Sequence, residues 1–169
     1  MFRTVAWLGC VLLLGAVRVS AQAVAEVDHR VVLEVGGAAE RSLADRRSNG
    51  GATVAVEATP IEGLLELESG VTVLGTGADR RAAVDLLFKK PYRLSPTVEF
   101  MVGIGPEWSR PTNAAVRPTS TALEIVLDFM FWPTRNVGWY VEPSFSGSRG
   151  GNGERSLGAT AGLLVGWPP

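Results

Sequence analysis

The sequence predicts an all-β fold: an eight-stranded antiparallel up-and-down β-barrel that crosses a membrane on its strands. Three observations predict it. Apolar and polar residues alternate in segment after segment, with no convincing helical period. The connections alternate between long polar loops and short tight turns. Within the segments, nearly every acid falls on the face opposite the apolar one.

Successive side chains of a strand point to opposite faces, so each segment divides into two sets. The first predicted strand runs from about Val27 to Glu40, with His29, Val31, Leu33 and Val35 opposing Asp28, Arg30 and Glu34. The second is about Gly51 to Thr59, with Val54 and Val56 opposing Glu57. The third is about Leu64 to Leu74, with Leu65, Leu67 and Val71 opposing Glu66 and Glu68. The fourth is about Arg81 to Lys89, with Val84, Leu86 and Phe88 opposing Arg81 and Asp85. The fifth is about Leu94 to Trp108, with Val98, Phe100 and Ile104 opposing Glu99 and Glu107.

The sixth, Thr121 to Trp132, is the clearest. Leu123, Ile125, Leu127, Phe129 and Phe131 share one face; Glu124, Val126, Asp128 and Met130 share the other. The seventh is about Val137 to Ser146, with Trp139, Val141 and Phe145 opposing Glu142. Pro143 cannot donate to a ladder and predicts a bulge. The eighth is Arg155 to Trp167, with Leu163, Val165 and Trp167 opposing Gly158, Gly162 and Gly166. The long connections are 42–50, 75–80, 109–120 and 147–154. The short ones are 60–63, 90–93 and 133–136, so the long loops gather at one end.

The N-terminus has the form of a secretory signal peptide over residues 1–23, followed by a barrel domain over 24–169. Arg3 precedes an apolar run, Val5 to Val17, and Ala21-Gln22-Ala23 is a small-x-small site. Cleavage after Ala21 is an alternative, as is a lipoprotein reading of Leu8-Gly9-Cys10. Cys10 is the only cysteine, so the body of the chain has no disulfide or thiol ligand. His29 is the only histidine, which excludes a His-rich metal site. The formal net charge of −1, without a basic cluster, gives no reason to expect nucleic acid. No cofactor is expected.

Alternation alone fits a soluble barrel with grease inside or a membrane barrel with grease outside. Three features favour lipid outside. The apolar faces are uniformly apolar over many strands. Aromatics gather near both ends, with Trp132, Trp139 and Trp167 by the short turns and Trp108 by the long loops, as interfacial girdles do. The polar face is rich in glycine, which suits a narrow, crowded lumen.

On these residues the chain resembles the small eight-stranded outer-membrane barrels of Gram-negative bacteria, of the OmpA-barrel, OmpX and OmpW types. The resemblance covers about residues 27–167 and rests on strand count, loop asymmetry and the last strand. It implies an outer-membrane location, contact with outer-membrane lipid, and recognition of the C-terminal strand by the barrel-assembly machinery. Leu163, Val165 and Trp167 match that terminal signal; Pro168-Pro169 after the aromatic departs from it.

Two sets of residues are candidates for function. Arg30, Glu34, Glu57, Glu66, Glu68, Arg81, Asp85, Glu99, Glu124, Asp128 and Glu142 form a predicted lumen charge network, with Lys89 as a further candidate cation. Its acids exceed its bases, which implies water, shifted protonation or bound cations. Arg46, Arg47, Arg110, Arg117 and Arg149 lie in or beside the long loops, where guanidinium forks suit lipopolysaccharide phosphates. The expected role is structural or surface-interacting. A small pore for ions or apolar molecules and a soluble lipocalin-like binding barrel are the alternatives. No catalytic role is expected: His29 falls on the predicted lipid-facing side with no motif serine beside it, and no helix follows Gly103-Ile104-Gly105 to make a phosphate loop.

Overall fold

The computed structural model describes residues 29–77, 80–112, 119–148 and 154–167. The predicted signal segment, Arg117, Arg149 and Pro168-Pro169 lie outside them. The strands are β1 (Val31–Ser42), β2 (Ser48–Ile61), β3 (Leu65–Leu74), β4 (Arg81–Ser95), β5 (Val98–Pro111), β6 (Ser120–Phe131), β7 (Val137–Ser148) and β8 (Arg155–Trp167). Each pairs antiparallel with the next, and β8 returns to β1 to close an eight-stranded barrel. Closure leaves no strand edge, which a strand in lipid requires because nothing there can hydrogen-bond an exposed backbone.

The apolar faces point outward. Val35, Val54, Val71, Ile104, Leu123, Ile125, Leu163 and Trp167 are all exposed, while Glu34, Glu57, Glu68, Lys89, Asp128 and Glu142 are buried inside. In water so continuous an apolar surface would drive association; in a bilayer it meets its own solvent. The chain is therefore a transmembrane barrel. The lipocalin-like alternative fails, because that fold would keep its apolar face inside.

Several boundaries differ from those read off the sequence. The second short turn is Pro96-Thr97 rather than 90–93, and Pro91 lies within β4, paired with Met101. Beyond Lys89, β4 has no β3 partner, so a residue without an N–H is tolerated there. The first connection shrinks to 43–47, because Asn49, Gly50 and Gly51 pair with Glu40, Ala39 and Ala38 instead of looping. The bulge expected at Pro143 is absent. Pro143 pairs with Ala159 on β8, and the β6–β7 register is the same at Val126↔Ser144 as at Phe129↔Val141. The ladder is only interrupted opposite the proline. A register shift occurs instead in β2, between Ala58 and Ile61, around Pro60.

Candidate functional site: the filled lumen and the arginine rim

Six strands aim charged side chains at one point in the lumen. Lys89, from β4, is buried with Nζ 2.8 Å from Asp128 Oδ2, 2.8 Å from Glu142 Oε2 and 3.5 Å from Glu57 Oε2. It also pairs with Glu68. Glu34, 1% exposed, joins the same group from β1. Alternation places each of these side chains inside. The strand tilt that a closed barrel imposes brings their different heights along the strands to a common level.

Lys89 fits because its neighbour on β5 is glycine. A Cβ on Gly103 would lie 2.6 Å from Val126 Cγ2 and 2.8 Å from Lys89 Cγ, inside van der Waals contact. Gly103→Ala is thus expected to displace the lysine stem and cost about 1–3 kcal/mol, the range for overpacking a filled interior. Equilibrium unfolding in detergent checks this; an unchanged midpoint would show that the lumen is looser than its geometry.

Below the charges, toward the short turns, Val32, Met101, Met130, Tyr140, Leu164 and Trp132 form a buried apolar layer. His29 lies under it. The ring stacks on Trp132, with centroids 4.1 Å apart, and Nε2 donates to the Arg135 carbonyl at 2.6 Å. A carbonyl can only accept, so the proton is on Nε2. Two expectations are corrected here. Trp132 is not an interface aromatic: one residue past outward-facing Phe131, parity turns it inward, and it is buried. His29 is not lipid-facing: the chain bends at Arg30, before β1 begins, and the imidazole packs over Gly166. Trp108, Trp139 and Trp167 do face outward, and Trp139 stacks on Phe131 at 3.8 Å.

Above the charges the lumen stays acidic. Asp85 accepts the Gly70 amide at 2.9 Å, and Glu124, Glu107 and Asp85 line a cavity of about 50 Å³. Arg81 pairs with Glu40 at its upper end. Glu66 is buried and Glu99 half-buried toward the short-turn end. Arg30 is exposed at that mouth and stands outside the cluster, a correction with the same cause as at His29. Lys89, the centre of the network, was read from the sequence only as a further cationic partner beside Arg30 and Arg81, not as its centre. Its parity with Asp85 and Leu87 was the available signal.

The long-loop end carries arginines. Arg41, Arg46, Arg47, Arg80, Arg110 and Arg155 are exposed there. Arg41 and Arg110 sit on β1 and β5, opposite sides of the ring. Arg46 holds the left-handed conformation (φ 60°) at the first loop, a place where glycine or asparagine is ordinarily easier. Asp45 offers partial compensation: its carboxylate lies 3.3 Å from Arg47 Nε and accepts the Arg47 amide at 3.2 Å. Hydrogen bonding with Ser42, then with that amide, holds the Asp45 carboxyl below the usual range.

This architecture recurs in solved structures. Neisserial surface protein A superposes with a TM-score of 0.67 at 13% identity, over 81% of this chain and 97% of that one. The N-terminal β-barrel domain of Pseudomonas aeruginosa OprF gives 0.55 at 16%, over 82% and 100%. Ail, the attachment invasion locus protein of Yersinia pestis, gives 0.54 at 12%, over 83% and 99%. The fold is that of the small outer-membrane barrels. At these identities the likeness concerns fold alone. No family model and no curated protein sequence matches the chain.

Proposed function

We propose that this chain is an outer-membrane barrel that acts at its external rim, binding the phosphates of lipopolysaccharide, rather than through its bore. The observation that carries the reading is the division of charge between rim and lumen. Exposed arginines ring one end, opposed among the described residues there by exposed Asp45 and Glu154. The bore below them is filled by the Lys89 cluster and the apolar layer around Met101, Met130 and Tyr140. Guanidinium groups bind phosphate bidentately, and Arg41 and Arg110 face outward where headgroups would lie. Ail was also crystallised with the heparin analogue sucrose octasulfate, so one barrel of this fold meets a polyanion. The outward run Leu163, Val165, Trp167 at the end of β8 supports recognition by the barrel-assembly machinery.

The test compares vesicles containing lipopolysaccharide with zwitterionic vesicles. Replacing Arg41, Arg46, Arg47 and Arg110 together by glutamine is expected to weaken lipopolysaccharide binding at least about tenfold, and added salt to weaken the parent chain's binding. Retained binding in that variant would overturn the reading. Planar-bilayer recording is expected to show no conductance steps. Steps that shrink in Glu124→Gln with Asp128→Asn would favour a small cation pore.

A further inference from the structure

The lumen cluster holds more negative charge than its own residues neutralise. Glu34, Glu57, Glu68, Asp128 and Glu142 surround one ammonium, Lys89. Glu34 Oε1 and Asp128 Oδ1 also have no hydrogen-bond partner, in residues 1% and 0% exposed, and a Glu34 carboxylate oxygen lies within 4.8 Å of oxygens from Glu57, Glu68 and Asp128. A buried carboxylate oxygen left unsatisfied is costly, and each one marks a place for a ligand.

The spacing identifies the ligand class. One oxygen from each of Glu34, Glu57, Glu68 and Asp128 lies within 4.8 Å of the other three. Calcium holds oxygen at about 2.3–2.6 Å, so ligands on opposite sides of one ion stand roughly that far apart. The donor set is all oxygen, without imidazole or thiolate, which selects hard cations over zinc or copper. Lys89 does not exclude an ion. It pairs with one oxygen each of Glu57, Glu68, Asp128 and Glu142, and a carboxylate can bridge an ammonium on one oxygen and a cation on the other, while Glu34 makes no ion pair with it.

We propose that Glu34, Glu57, Glu68 and Asp128 form a buried binding site for one hard divalent cation, Ca²⁺ in preference to Mg²⁺, held beside Lys89. Mg²⁺ demands a tighter octahedron and keeps its waters, for which the packed lumen has little room. The ion halves the surplus charge of the cluster and ties four strands, β1, β2, β3 and β6, to one centre. It enters from the long-loop end, through the acid-lined cavity bounded by Glu124, Asp85 and Glu107. The apolar layer under Lys89 closes the other end. The site is independent of the rim arginines and of lipopolysaccharide binding.

The experiment uses the full chain folded in detergent, stripped with chelator, and titrated calorimetrically with CaCl₂, with MgCl₂ and NaCl as comparators. The unfolding midpoint is followed in parallel. One saturable Ca²⁺ per barrel is expected, with a dissociation constant on the order of 10⁻⁴ M or tighter, together with a raised midpoint. Glu34→Gln keeps the side chain's shape and removes one charge from a crowded set. Its metal-free midpoint should equal or exceed that of the parent, while its Ca²⁺ affinity falls at least about tenfold. Asp45→Asn, in the external loop, should leave binding unchanged. Absence of saturable Ca²⁺ binding, or parent-like affinity in both Glu34→Gln and Asp128→Asn, would overturn the proposal.

Discussion

Lys89→Met is expected to remove about 3–5 kcal/mol of stability, the loss that follows when one partner of a buried ion pair is deleted. The methionine fills much of the same space, so the loss is electrostatic rather than steric. Glu57, Glu68, Asp128 and Glu142 would remain buried without their common cation. The measurement is denaturant unfolding in detergent with chelator present, so that no metal replaces the ammonium. Lys90→Met is the comparison. Lys90, the next residue, donates to the Gly63 carbonyl at 2.6 Å from an exposed position, and its loss should cost only about 1 kcal/mol. A double variant, Lys89→Met with Asp128→Asn, should recover part of the first loss. Equal costs for the two lysines would mean that the lumen is wet enough to screen its charges.

Ile125→Arg is expected to cost about 2–4 kcal/mol in a bilayer, the penalty for an arginine on the lipid face near the midplane. Ile125 is 43% exposed, and it lies between the level of Trp108, opposite Thr121, and that of Trp139, opposite Phe131. Leu157→Arg, at the rim beside Arg41, should cost only about 0–1 kcal/mol, since the penalty falls near the interface. Folding into lipid vesicles measures both. This depth dependence is specific to lipid. In water an exposed isoleucine exchanges for arginine at little cost wherever it lies, so equal penalties at the two sites would count against a membrane-embedded face.

Much of the site was legible residue by residue. The inward positions of Glu34, Glu57, Glu68, Asp128 and Glu142 follow from alternation, a local property of the extended chain. Lys89 was harder to see because Pro91 looked like the start of a turn, which placed the lysine at a strand end. In the barrel β4 continues to Ser95, and Lys89 sits in mid-lumen. His29 was misplaced where the strand period stops, at the bend before β1, because the pattern carries no information beyond the strand; Trp132 was grouped with the end aromatics although its parity, one residue past Phe131, already turned it inward.

By itself the sequence determined that the chain forms strands, that there are eight of them, and which face of each carries grease or charge. A two-residue period is written into consecutive side chains and needs no partner to be read. Only the tertiary structure decided which lumen residues meet. Glu34 and Asp128 are far apart in the chain and lie on strands that are not neighbours. Their proximity depends on closure, tilt and register, and so does the single lysine that holds them together.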